Sequence, residues 1–369
     1  MTIEDLALLF VHGLGARGAA HLIEHYGSAE AVYEASCNDL IASTGLRKDI
    51  AVNITSGEGL KQALKEVEYC RKHGISMVAA TDPDYPLLLK HIPDRPHVLF
   101  VQGDIGALAR PTLSMVGTRE MSPSGQYATN KLIGDLASEM DNLTLVSGIA
   151  YGIDAACHRA ALAHKVPSVA VVANALPEVN PTPHRQLAED ILRNGGALVS
   201  ELSSQSRQNG KLFIARNRII AGLSMGVVVV ESHASGGALS TAHLADSYGR
   251  VVMAVPGRIT DNTSFGTNNL IRSGVARMVL TAQDIIYDMD WEDHCRYNGA
   301  TGVGDELLPP DLTPQEAAVM ALFNTEAKLD MQQLLNATGF TVGELMMSLM
   351  NLEIKGLIRT LPGQMYEKI

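Results

Sequence analysis

The chain has 369 residues, 46% of them hydrophobic, with 29 basic against 40 acidic side chains and a formal net charge of -11. That is enough apolar material for two or three packed domains of a soluble protein, while no apolar run approaches the ~20 residues that a membrane-spanning helix requires. The start, MTIEDLALLF, carries acids where a secretory signal carries Lys or Arg, so the expected address is the cytoplasm. Cys37, Cys70, Cys157 and Cys295 lie far apart without a CxxC pair, which indicates neither a zinc site nor a disulfide framework and predicts buried thiols.

Residues 1–75 read as short helices. In VHGLGARGAAHLIEHYG, Gly13 and Gly15 frame a hairpin between two helices, and Ala19, Leu22 and Ile23 supply the packing stripe of the second; STGLRKDIAVNI from Ser43 is a weaker echo. Such a glycine turn either offers N–H groups to a phosphate, as in a helix-hairpin-helix module, or simply turns the chain. Seven basic against ten acidic side chains in this segment favour the second.

From Ile75 the pattern changes to short Val- and Leu-rich runs alternating with amphipathic stretches over residues 76–288. Predicted strands begin at Ile75, Val98, Thr112, Leu143, Ser168, Ala197, Val227, Val251 and Met278, with helices over Gly125–Glu139, Ile153–His164, His184–Asn194, Asn217–Leu223 and Ala238–Tyr248. Runs without strict alternation suit strands buried on both faces, so the expectation is an α/β fold: an extended Rossmann-like, doubly wound, mostly parallel sheet with ligands at the carboxyl ends of its strands.

Four strand-to-helix turns fall on that rim. SMVGTREMSPSG places Gly117 and Arg119 just after a strand, and a guanidinium grips a phosphate through two parallel hydrogen bonds. VSGIAYGIDAACHRAAL ends a strand at Ser147 and Gly148. LFIARNRIIAGLS sets Arg216, Asn217 and Arg218 at the mouth of a predicted helix, and with Arg207 and Lys211 they form a basic island without an acid. In ESHASGGALSTAHLA, Gly236 and Gly237 precede a helix whose N-terminal N–H groups favour an anion. One glycine after a strand serves packing as readily as a ligand; four at equivalent positions point to a binding rim. Phe213 is either a base-stacking aromatic or a core residue. Asp154 and His158, at i and i+4, read as a structural pair rather than a catalytic one, and His233 and His243 lack metal-ligand companions.

Residues 289–310, from Met289 through LLPPDL, are polar and acidic and read as a linker. Thr313, Pro314 and Glu316 then make a capping box with proline in the first turn. Helices over Asp330–Ala337 and Val342–Lys355 follow, and GLIRTLPGQMYEKI reads as strand, turn, strand, so residues 311–369 form a winged-helix pattern. Four basic against seven acidic side chains there suit contact with protein better than with duplex DNA.

The ordered motifs VGTR, VSGIAYGIDAACHRAAL, ALVSE, ARNRIIAGLS, VVVVES, SGGALSTAHLA, AVPGRI and GTNNLIRSG resemble those of the DprA/Smf family of bacterial DNA-processing proteins over roughly Asp82–Leu280. The resemblance implies a domain that binds single-stranded DNA, forms a homodimer and helps load the recombinase RecA during natural transformation, with no cofactor and no catalytic turnover. It makes Arg119 the principal phosphate grip, with Ser147, Gly148, Arg216, Asn217, Arg218, Gly236, Gly237 and Thr241 as companions. Two departures stand out. Asn180, Pro181 and Thr182 replace the family's TyrPro and lysine, leaving His184 or Arg185 to make that contact, and the family's PheProxArgAsnArg reads Phe213, Ile214, Ala215, Arg216, Asn217, Arg218, without its proline. The alternative from another class is a Rossmann-like hydrolase of nucleoside monophosphates. Such enzymes resemble this chain at the SGGALSTAHLA turn but carry a glutamate after its GlyThr. Here Ser240, Thr241, Ala242 and His243 bring no acid before Asp246.

Overall fold

Val and Leu runs with no polar alternation gain most when both faces are covered, and in this computed structural model, which describes residues 1–207, 209–292, 312–323, 328–354, 357–361 and 365–368, they form a nine-stranded sheet. Its strands are β1 (Ser76–Ala79), β2 (Val98–Gly103), β3 (Thr112–Val116), β4 (Thr144–Ser147), β5 (Ser168–Val171), β6 (Ala197–Ser200), β7 (Gly226–Val229), β8 (Val251–Ala254) and β9 (Arg277–Met278). The spatial order is β1-β2-β6-β5-β4-β3-β7-β8-β9. From β3 the chain steps through β4, β5 and β6 in one direction, and from β7 through β8 and β9 in the other, every pairing parallel. β2 adds to β6, and β1 to β2, antiparallel. The direction of winding therefore reverses between β3 and β7, and the crevice outside their carboxyl ends is where a doubly wound sheet binds its ligand.

The intervening helices are α7 (Leu87–Lys90), α8 (Pro123–Glu139), α9 (Ile153–Ala163), α10 (Arg185–Arg193), α11 (Lys211–Leu223), α12 (Gly237–Ser247), α13 (Phe265–Arg272) and α14 (Ala282–Asp288). One core joins Val146, Val227 and Val229 to Ile219 and Ile220 of α11. A second joins Leu113, Met115 and Leu145 to Leu132, Ile133 and Leu136 of α8. Trp291, expected in the linker, is fully buried in that second core, and Met289 is 5% exposed there. The large apolar area of the indole outweighs the acids that flank it in sequence. Residues 293–310 of the expected linker lie outside the described residues.

Before the sheet come α1 (Ile3–Leu8), α2 (Gly15–Tyr26), α3 (Ala29–Glu34), α4 (Cys37–Thr44), α5 (Lys48–Thr55) and α6 (Glu58–His73). The α1–α2 connection uses Gly13 at φ 84°, and the α4–α5 connection Gly45 at φ 66°, left-handed conformations that favour glycine. Ala19 and Leu22 are buried, with Ile23 packed beside them. These helices belong to the same compact unit as the sheet; Leu6, Ala63 and Cys70 share a core with Phe100 and Leu198.

The second unit contains α15 (Pro314–Leu322), β10 (Lys328–Asp330), α16 (Met331–Thr338), α17 (Val342–Ile354), β11 (Ile358–Leu361) and β12 (Met365–Lys368). The capping box forms: Glu316 N–H donates to Thr313 Oγ1 at 3.3 Å and Thr313 N–H to Glu316 Oε2 at 2.7 Å. Sequence pattern missed β10, which pairs antiparallel with β12; three residues are too few to show a period. The ProGly turn between β11 and β12 lies outside the described residues.

Candidate nucleic-acid interface

A cleft of about 580 Å³ opens at the winding reversal, between the turn after β3, the turn after β4, one face of α11 and the N-terminus of α12. On its first wall Glu231, at the end of the β7 segment and 6% exposed, organises the β3–α8 turn. Its carboxylate accepts from the Ser122 N–H at 2.9 Å, from the Ser122 hydroxyl and from Thr263 Oγ1 at 3.2 Å, while its backbone carbonyl accepts from Thr118 N–H at 2.8 Å. Ser122 in turn caps α8 through Gly125 N–H at 3.0 Å. Arg119 stands exposed on the turn so fixed. Its guanidinium carbon lies 5.8 Å from the centroid of the Phe213 ring, a cation–π contact that favours an extended, outward arginine by ~0.5–1 kcal/mol at an exposed site.

The glycines divide by what surrounds them. A Cβ on Gly117 would lie 2.5 Å from Ile153 Cγ1, and one on Gly148 would lie 2.4 Å from Arg216 Nη1, so close packing accounts for both. A Cβ on Gly236 or Gly237 would meet nothing nearer than 3.6 Å or 3.5 Å respectively. Gly236 is extended at φ 168°, and no side chain caps α12. Neither packing nor a left-handed backbone calls for these two glycines. What they provide is open access to the first-turn N–H groups and the positive end of an 11-residue helix.

Helix α11 starts at Lys211 rather than near Asn217, because nothing in Lys211–Arg218 stops a helix from beginning earlier. ArgAsnArg therefore sits inside the helix, and its side chains diverge by about 100° per residue. Phe213, Arg216, Asn217 and Ile220 face the cleft. Arg216 is 5% exposed and donates from Nη1 to the Gly148 carbonyl at 2.6 Å and to the Val171 carbonyl. Burial holds its pKa below the usual arginine range, opposed by the nearby Asp154 carboxyl. Asn217 Nδ2 donates to the Gly237 carbonyl at 3.2 Å, and Thr241 Oγ1 to the same carbonyl at 3.2 Å, which fixes the start of α12.

Other expected site residues lie elsewhere. Arg218 points to the opposite side, where Nη1 and Nη2 donate to the two carboxylate oxygens of Glu201 at 3.1 and 2.6 Å. Ser147 is fully buried and donates to the Met115 carbonyl at 2.7 Å. Arg185 is exposed but lines a separate depression with Pro177 and Val179, and Lys211 is exposed on the first turn of α11. His184 is buried, with Nδ1 donating to the Ile149 carbonyl at 2.7 Å, and its ring packs edge-on to the exposed Tyr151 at 4.9 Å. Asp154 and His158 do not pair. Desolvation raises the Asp154 pKa, against lowering by Arg216. It lowers that of His158 to about 3, helped by the charges of His184, Arg216 and Arg159. His158 Nδ1 lies 3.2 Å from Ser168 Oγ. His233, 3.5 Å from Glu120, stands on the cleft rim, and the exposed Asp246 does not line the cleft.

A family model described as DNA recombination-mediator protein A matches residues 76–290, more than half of the chain. The chain belongs to the DprA/Smf family of DNA processing proteins. The family's winged-helix model matches residues 305–364. Protein Smf of Escherichia coli is 32% identical over 346 residues, covering 85% of this chain and 86% of that protein. DNA processing protein DprA of Streptococcus pneumoniae is 37% identical over 210 residues, 57% of this chain and 73% of the relative. Its X-ray structure superposes with a TM-score of 0.68 at 30% identity, covering 78% of this chain and 98% of that one. DNA processing protein A of Helicobacter pylori, described for its single-stranded DNA binding mode, gives a TM-score of 0.53 at 27% identity over 60% of this chain and 98% of that one. Family membership agrees with the α/β core and the terminal winged helix. Among the described residues no helix is long and apolar enough to cross a membrane.

Sequence reasoning missed Glu231, which organises the Arg119 turn. The signal was available: an acid ends the VVVVE run at the carboxyl end of a strand, where the rim lies.

Proposed function

We propose that the cleft at the winding reversal binds single-stranded DNA, without catalytic turnover. The observation that carries this reading is Arg119, exposed over the Phe213 ring, facing the uncapped, glycine-opened start of α12. A guanidinium and a helix N-terminus suit successive phosphates, and an aromatic face beside them suits an unstacked base, which duplex DNA does not offer. Arg119, Phe213, Gly236 and Gly237 are the contacts, with exposed Lys211 and Arg207 extending the positive path. Arg216, Asn217, Gly117, Gly148 and Thr241 shape the site from within. Arg185 takes part only if the strand continues past Tyr151.

The family resemblance supports three further readings: hand-over of the strand to the recombinase RecA, action as a homodimer, and a cytoplasmic address. Exposed Met278, Leu280 and Tyr287, at 51, 63 and 75%, give an apolar patch around the β9 edge that suits symmetric pairing. We read residues 1–75 as a helical module that supports the sheet, and the acidic residues 311–369 as a protein-contact module.

Anisotropy titrations of labelled single-stranded and duplex oligonucleotides test the reading. The expected result is at least about tenfold preference for the single strand, reduced by Arg119→Ala by about fivefold or more, in line with ~1–3 kcal/mol per stacked base and a lost phosphate contact. Equal binding to both forms, unchanged in the variant, contradicts it.

A further inference from the structure

Glu66 lies on α6, is 1% exposed, and takes no part in the cleft described above. A buried carboxylate persists only where charge-assisted hydrogen bonds replace its hydration. Cys70 Sγ, one turn further along α6, donates to Oε1 at 3.9 Å, and the nitrogen and oxygen donors come from one short segment. Ser204 N–H donates to Oε1 at 2.7 Å, Ser204 Oγ to Oε2 at 2.6 Å, and Gln205 Nε2 to Oε2 at 3.3 Å. Gln205 Nε2 also reaches the carbonyl of Gln62, one turn earlier on α6, at 3.2 Å.

That segment, residues 201–210, joins β6 to α11. Its described residues form neither helix nor strand, it carries exposed Arg207, and it ends at Gly210 on the cleft, just before Lys211 and Phe213. With little backbone pairing of its own, its place depends on what grips it from outside. We infer that Glu66 is a positioning residue for the DNA cleft: it clamps the β6–α11 segment so that Phe213 stays beneath Arg119. Through this contact the N-terminal helices act on a site that none of their residues line. The inference rests on the single-strand reading above.

Electrostatics and clamping have opposite signs here, which makes the test sharp. Removing an acid near a phosphate path strengthens DNA binding at long range, whereas losing the clamp weakens it. Glu68, exposed on the same helix, provides the control for charge alone. In anisotropy titrations with the full chain and a labelled single-stranded oligonucleotide, Glu66→Gln is expected to weaken binding about fivefold, and Glu68→Gln to leave it unchanged or tighter. Binding by Glu66→Gln equal to or tighter than wild type overturns the clamp. Should Glu66→Gln not fold, Ser204→Ala, which removes one of the bonds, is expected to weaken binding about twofold, and unchanged binding overturns the inference. Peptide-resolved hydrogen exchange over residues 201–213 without DNA is expected to speed up in Glu66→Gln but not in Glu68→Gln. This second measurement decides the clamp even if wild type binds no single strands, a result that would remove the functional reading alone; equal exchange in the two variants overturns the clamp.

Discussion

Arg216 on α11 and Arg119 on the β3–α8 turn line the same cleft, yet the molecule uses them in opposite ways. Arg216 is sunk into the protein, with two strand-end carbonyls as acceptors and the Asp154 carboxyl nearby; Arg119 is exposed over an aromatic ring. The same side chain is mortar in one place and a ligand grip in the other. The difference comes from the backbone beneath: a buried helix face commits a guanidinium to the protein, and a turn held by Glu231 leaves one free for solvent and phosphate.

Truncating each arginine separates the two roles most strongly. Arg216→Ala is expected to cost about 3 kcal/mol or more in urea unfolding, because it strands buried carbonyls and the Asp154 carboxyl. Arg119→Ala is expected to stay within about 0.5 kcal/mol of wild type. Similar losses for both would erase the contrast.

The glycines sharpen it. A Cβ at Gly148 collides with Arg216, so Gly148→Ala is expected to cost about 2 kcal/mol. Gly236→Ala, whose Cβ meets only Ser232 Oγ at an ordinary 3.6 Å, is expected to leave the unfolding midpoint nearly unchanged while weakening DNA binding. If Gly236→Ala destabilises and still binds normally, its glycine serves packing after all.

Acid probes the buried side of the comparison through His158. Its pKa lies at about 3 in the fold, lowered chiefly by desolvation, against ~6.5 in an unfolded chain. The unfolded state therefore binds more protons between these values, and stability present above pH 6.5 is lost as pH falls toward 3. Going from pH 7 to pH 5 is expected to remove about 2 kcal/mol. His158→Gln should flatten that part of the profile in denaturant titrations, and an unchanged slope would show that another group carries it.

Much of this was legible in the sequence. Strands, winding and the rim followed from Val-rich runs alternating with helices, and four turns fell where such a sheet binds ligands. Legibility failed within α11. ArgAsnArg reads as one grip only if its residues share a side, but residues two apart on a helix face away from each other. Arg218 accordingly joins Leu212 and Ala215 on the opposite groove and pairs with Glu201, which lies 17 positions away in sequence. Ser147 failed for a related reason: a hydroxyl at a strand end satisfies the neighbouring strand's carbonyl before any ligand. Gly117 and Gly236 look alike in sequence, and only the presence or absence of a neighbour at 2.5 Å tells packing from access. Trp291 sat among acids and glycines, so composition hid a core residue.

The salt dependence of single-strand binding in Arg119→Ala and Arg218→Ala tests the central claim most directly. Each phosphate contact on a single strand contributes about 0.7 to the slope of log K against log salt. The slope is expected to shrink by about that amount in Arg119→Ala and to stay at the wild-type value in Arg218→Ala. A slope that shrinks in Arg218→Ala and not in Arg119→Ala would contradict the assignment of the cleft as the DNA path.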